Sequence, residues 1–290
     1  MRPLHPLIEA FLSDLARAGR SPRTLAGYRK DLADFAAWME SRYGEAFDTK
    51  ATLPEDLRDY RQHLLSVRRR APATINRRVS ALRAFFAFLA ARGEIPSNPA
   101  ARLSGVRTAR PAPRALSEAE LRRLLREARR SPNPLHRAVI LLLAHTGLRA
   151  SELCALRLSD VALSERRGKI TVRGKGEKVR EVPLNREARE ALREWLATRP
   201  ALPDDALFVG RRGRLTPAGV WRIVREYARR AGVEAHPHVL RHTFATRLLR
   251  EAGADLVTVA EILGHESLNT TARYTRPSEA DLEAAVERLG

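Results

Sequence analysis

The chain has 290 residues, 44% of them hydrophobic, enough for two packed cores, so disorder is not its default state. A single cysteine, Cys154, excludes an internal disulfide and a multi-cysteine metal site, and no apolar run approaches the roughly 20 residues that span a bilayer. The formal charge of +19 points to a polyanion, most simply nucleic acid, and the excess is spread over both halves, as suits a clamp around a duplex.

The first part reads as four helices. LIEAFLSDLARAG has apolar residues at helical spacing and stops at Gly19. SPRTLAGYRKDLADFAAWMESRYG follows, with Ser21 as N-cap and Pro22 in the first turn. LPEDLRDYRQHLLSVRRR and PATINRRVSALRAFFAFLAARG complete a bundle whose core stripe is Leu82, Phe85, Phe86 and Leu89. Arg68, Arg69, Arg70, Arg77 and Arg78 are available for phosphates, and Arg77 and Arg78 are the chosen DNA contacts. Tyr28, Tyr43, Tyr60 and Tyr227 read as partly buried helix tyrosines. Between about Asn98 and Leu116 the periodicity lapses into a proline-containing stretch. The expected layout is a helical domain at 1–105, a linker at 106–115 and a second domain at 116–290.

The second domain opens on a capping box, Ser117 with Glu120, ahead of SEAELRRLLREARR. LHRAVILLLAHTG reads as a buried helix stopped by Gly147, and RASELCALRLSDV as the start of another. GKITVRG and KVREVPL alternate as strands, with Lys175 at the hairpin tip. Helices follow at NREAREALREWLATR, TPAGVWRIVREYARRAG, HVLRHTFATRLLREAG and DLVTVAEILGH, and SEADLEAAVERL closes the chain. The fold class is mainly α, with a small antiparallel β hairpin or sheet.

A phosphodiester resists attack because its anionic oxygens repel the nucleophile and its alkoxide leaves poorly. A solution without cofactors needs cations on the non-bridging oxygens, a nucleophile, and an acid for the leaving oxygen. Guanidiniums match two phosphate oxygens and stay charged, and a nearby phenol benefits from the same positive field. Arg149, Lys175, His238, Arg241, His265 and Tyr274 supply those types. His236, His238 and His242 also invite a zinc site, but no HExxH glutamate and no nearby cysteine accompany them, so no metal is expected.

These residues resemble the tyrosine recombinase (phage integrase) family, whose signature is Arg, Lys, His-x-x-Arg, His or Trp, and Tyr, in that order. Here it reads Arg149 in TGLRASEL, Lys175 in GKGEK, His238 and Arg241 in HVLRH, His265 in LGH, and Tyr274 in RYT. HPHVLRHTFATRLL and ILGHESLNTTARYT are most similar to the Xer group. The resemblance implies an N-terminal SAM-like DNA-binding domain, a C-terminal catalytic domain, and a last helix (Leu282, Ala285, Val286, Leu289) that docks on a neighbour. It implies that Tyr274 forms a 3′-phosphotyrosyl link, that Arg149 and Arg241 hold the phosphate, and that Lys175 protonates the leaving 5′-oxygen. His238 would assist proton transfer and His265 would donate to a phosphate oxygen. Neither a metal nor ATP is implied, since the ester conserves bond energy.

The expected partner is a double-stranded recombination site, bound by a homo- or hetero-tetramer on two duplexes, with a recombinase paralogue and a DNA translocase as further partners. A cytoplasmic protein without a membrane partner is expected, since MRPLHPLIEAF lacks a secretory pattern. The leading role is resolution of chromosome or plasmid dimers. The alternatives are an integrase of a phage or mobile element, and a catalytically silent DNA-binding accessory protein. A type IB topoisomerase fits the motifs less well.

Overall fold

Prolines open many of the helices. Pro6, Pro22, Pro54, Pro72, Pro134, Pro217 and Pro237 each sit in the first turn, where a missing N–H costs nothing and φ is already set. The computed structural model describes residues 4–107, 115–174, 178–201, 205–211 and 213–264. The chain divides into two compact units, Met1–Arg110 and Pro111–Gly290.

The first unit is a four-helix bundle of α1 (Pro6–Arg17), α2 (Pro22–Tyr43), α3 (Pro54–Ser66) and α4 (Pro72–Ala91). Ser21 caps α2 by accepting from the Thr24 N–H at 3.2 Å. Phe35, Phe85, Phe86, Leu82 and Leu89 are buried, so the stripe on α4 is core, and rings meet edge-on, as between Phe85 and Phe86. Tyr60 and Tyr227 are buried too, but Tyr43 at the end of α2 is exposed and donates its hydroxyl to Asp56. The aperiodic stretch after Asn98 is packed rather than loose up to Val106. Ala100 and Leu103 are buried in the bundle core, and Asn76 on α4 accepts from the Val106 N–H (2.7 Å) and donates to its carbonyl (3.0 Å).

The second unit comprises α5 (Glu118–Arg129), α6 (Pro134–Thr146), α7 (Ala150–Ala155), β1 (Val161–Leu163), β2 (Gly168–Arg173), β3 (Val179–Pro183), α8 (Arg186–Thr198), β4 (Val209–Gly210), β5 (Gly213–Arg214), α9 (Pro217–Arg230), α10 (Pro237–Arg250) and α11 (Leu256–Leu263). The Ser117–Glu120 capping box opens α5. Helix α6 is apolar and buried all round from Ala138 to Ala144, and α5, α8, α9 and α10 surround it. Among the described residues the fold is mainly helical, with β1, β2 and β3 in one antiparallel sheet and β4 and β5 in a two-residue ladder. Ile170 sits opposite both Val161 and Val182.

The helix expected across RASELCALRLSDV is only six residues long. Its chain leaves the helix because Leu156 O and Leu158 N pair with Leu207 N and Asp205 O, both at 2.8 Å. A 3₁₀ turn at Leu158–Asp160 then leads into β1, which sequence reading did not separate from that helix. No helix among the described residues is long and apolar enough to cross a membrane. The helix expected over SEADLEAAVERL lies outside the described residues.

Candidate active site

Gly147 ends α6 in the left-handed conformation, at φ 63°. Only glycine fits there: a Cβ would stand 2.5 Å from Phe244 Cδ1 and 2.7 Å from Leu263 Cδ2. The turn delivers Arg149 to the N-cap of α7, and Glu152, three residues on, accepts from the Arg149 N–H at 2.8 Å. Arg149 Nη1 donates to Glu152 Oε1 at 2.6 Å.

Helix α10 brings the next pair. His238 and Arg241 are three residues apart and so share a face. Arg241 is only 5% exposed; its Nη1 donates to Gly147 O at 2.7 Å and its Nη2 to Leu263 O at 2.8 Å. Its Nη1 also stands 3.8 Å from Glu152 Oε2. Arg241 therefore fastens the turn before Arg149 to the end of α11. Strand β3 adds Arg180, whose Nη1 and Nη2 donate to Glu152 Oε1 (3.2 Å) and Oε2 (2.9 Å), while its Nε donates to Ile262 O at 2.9 Å.

One buried carboxylate, 7% exposed, thus sits among three guanidiniums. Burial pushes the Glu152 carboxyl up, but the hydrogen bonds from Arg180 and from the Arg149 N–H, with both charges, outweigh it and hold the group below its ordinary value. Burial, then the Arg241 and Arg149 charges, hold His238 below the ordinary imidazole value, so its ring is neutral near pH 7. Arg149 is the accessible member at 38% exposure, against 5% for Arg241. The set offers positive charge and N–H donors to an anion, with a neutral imidazole beside them. A cleft of about 540 Å³ runs along α7, lined by Glu152, Arg157, Asp160, Arg173 and Arg214 among others. Among the described residues no three His, Cys, Asp or Glu side chains are grouped to hold a metal ion.

Of the six residues singled out from sequence, Arg149, His238 and Arg241 come together. Lys175, His265 and Tyr274 lie outside the described residues. Strand β2 ends at Arg173 and β3 begins at Val179, before and after Lys175 in sequence, and α11 ends at Leu263, two residues before His265. Sequence reading missed Glu152 and Arg180. The spacing Arg149-x-x-Glu152 was the signal for the first, since it is a cap-box spacing. For Arg180 the signal was alternation: it shares a strand face with buried Val182, an unusual place for a charge.

The two chosen DNA contacts separate. Arg78 is 8% exposed and lies inside the bundle, donating to Tyr60 Oη and Asp34 Oδ2, each at 2.6 Å. Arg77 is 46% exposed and reaches back to Asp31. Burial raises the Asp31 carboxyl above its ordinary value despite both arginines, and pushes the Tyr60 phenol up to about 12.

Residues 114–281 match the phage integrase family, and residues 8–93 match the phage integrase N-terminal SAM-like domain. The chain belongs to the phage integrase family. Within it, the chain is similar to Xer-type tyrosine recombinases. Tyrosine recombinase XerC of Roseiflexus sp. (strain RS-1) is 39% identical over 286 residues, covering 94% of this chain and 90% of that one. Tyrosine recombinase XerD of Lacticaseibacillus casei is 35% identical over 300 residues, covering 98% of each. Among solved structures, the XerH site-specific recombinase bound to palindromic difH substrate in a post-cleavage complex superposes with a TM-score of 0.75 at 26% identity, covering 90% of this chain and 78% of that one.

Proposed function

We propose that this chain is a site-specific DNA recombinase of Xer type that cuts and rejoins strands through a 3′-phosphotyrosyl intermediate. The observation that carries the reading is the convergence of Arg149 and Arg241 on one buried carboxylate, with His238 close enough to feel both guanidinium charges. Arg149 and Arg241 neutralise the non-bridging oxygens of the scissile phosphate as charge builds in the transition state. Tyr274 attacks phosphorus through its phenolic oxygen while the bond to the 5′-oxygen breaks. Lys175 gives that oxygen its proton, His238 in its neutral form relays the phenol's proton, and His265 donates to a phosphate oxygen. The 5′-hydroxyl of a partner strand reverses the attack. Bond energy is kept in the tyrosyl ester, so neither ATP nor a metal enters.

The first unit supplies core DNA binding, the stretch near 106–115 links it to the catalytic unit, and the last helix docks on a neighbouring protomer. The working assembly is a tetramer on two duplex sites in the cytoplasm, with a paralogue and a DNA translocase as further partners. Its role is resolution of chromosome or plasmid dimers, which the Xer names of the relatives support.

The test is a covalent trap. Full-length protein is incubated with nicked fragments of its own genome and quenched in SDS, and protein-linked DNA is sequenced, with Tyr274→Phe as control. Adducts that vanish in the variant and map to one chromosomal site support dimer resolution. Sites bounding a mobile element instead identify an integrase. Adducts that persist in Tyr274→Phe would refute the nucleophile.

A further inference from the structure

Arg180 is 11% exposed, yet no step of the proposed reaction uses it. Its fork ties together three pieces of chain that the reaction needs. It projects from β3, the strand that follows Lys175 in sequence. Its Nη1 and Nη2 engage both oxygens of Glu152, the carboxylate that also pairs with Arg149. Its Nε holds the carbonyl of Ile262, three residues before His265. Gly264 packs directly on it: a Cβ there would stand 2.7 Å from Arg180 Nη1.

The charges explain what such a tie does. Glu152 with Arg149, Arg180 and Arg241 carries a net +2. Remove Arg180, and the same carboxylate faces two guanidiniums with a net +1. The oxygens that Arg180 had engaged lie 2.6 Å from Arg149 Nη1 and 3.8 Å from Arg241 Nη1. Both cations would then be drawn further onto the carboxylate, and less of their field would reach a bound phosphate. A planar fork meets two carboxylate oxygens and a carbonyl from three separate nitrogens, a spread that the single nitrogen of an ammonium does not match.

We propose that Arg180 is a positioning residue for strand cleavage: it takes up the Glu152 charge so that Arg149 and Arg241 stay available to the phosphate, and it fixes the end of α11 from which His265 follows. This rests on the reading of Arg149 and Arg241 as the phosphate clamp.

The experiment is single-turnover cleavage of a nicked duplex carrying the sequence recovered by the covalent trap, with affinity for the same duplex measured in parallel. The full-length variants are R180Q, R180K, R180Q/E152Q and R149A. R180Q should slow cleavage by about 10–100-fold, the scale of losing a partner that orients a charged group, with affinity unchanged to within about threefold. R180K should fall in between. R180Q/E152Q restores the net +2 and should recover at least about tenfold of the lost rate, a gain that a purely structural strut would not give. R180Q cleaving like the wild type while R149A is inactive overturns the proposal alone. R149A cleaving like the wild type overturns the reading beneath it. A double variant no faster than R180Q overturns the charge argument in favour of packing. If R180Q does not fold, R180K decides: an intermediate rate supports the proposal, and a wild-type rate overturns it.

Discussion

Glu152→Gln tests the central carboxylate most directly. Gln keeps the shape and an acceptor oxygen for the Arg149 N–H, but removes the charge that faces Arg180 and Arg241, at 11% and 5% exposure. Breaking a buried ion pair from one side costs about 3–5 kcal/mol, because the stranded charge has no water to return to. For a unit of this size each kcal/mol moves the melting point by roughly 2–4 °C, so the transition of the second unit should fall by about 6–20 °C at pH 7. The Glu152 pKa lies below its ordinary value of 4.5 in the folded chain. A lowered carboxylate pKa gives stability that is present above the unfolded value and lost as pH falls through the folded one. The gap between wild type and variant should therefore be full at pH 7, still full near pH 5.5, and should close below 4.5. Scanning calorimetry of the full chain across that range is the assay. Equal melting points at pH 7, or a gap that widens in acid, would show that the carboxylate does not organise the site. Adding Arg180→Gln to Glu152→Gln removes the stranded cation, so the double variant should melt above Glu152→Gln alone.

Gly264→Ala should act as a remote version of R180Q, since φ is 66° and the new Cβ meets the Arg180 guanidinium. The backbone term alone costs about 1–2 kcal/mol, and cleavage should slow with affinity kept; a variant with both unchanged would show that the contact is not needed. Arg78→Met should lower the melting point of the first unit by several degrees, because it strands the buried Tyr60 hydroxyl and removes one of the two guanidiniums that face buried Asp31. Arg77→Met should instead reduce the slope of DNA affinity against salt by about one phosphate contact, and titrations in increasing salt would separate the two. Because burial and two guanidiniums hold His238 below its ordinary value, the acid limb of the cleavage rate should fall below pH 6.5 and disappear in His238→Gln. A limb at or above neutral pH would assign it to another group.

What sequence could show here divides by the range of the forces involved. The helices were readable because their signals are local: prolines in first turns, Ser21 and Ser117 as caps, Gly147 as a stop, and apolar residues at a period of 3.6. The early end of α7 was not, since pairing between Leu156–Leu158 and Asp205–Leu207 sets it, across a distance in sequence that no window spans, and β1 was missed with it. Arg77 and Arg78 look alike in NRRV, yet Arg78 falls three residues after Ile75 and four before Leu82, both core positions, so its burial was readable from spacing and was passed over. The site divides the same way. Two of its three cations, Arg149 and Arg241, were found because motif order and a charge of +19 both direct attention to them. Its carboxylate was not, because counting charges treats an acid near arginines as a debit. Physically the opposite holds: Arg180 and Arg241, both nearly buried, could not share the site without an anion between them. The acid is the condition for packing that much positive charge against the site of a phosphate.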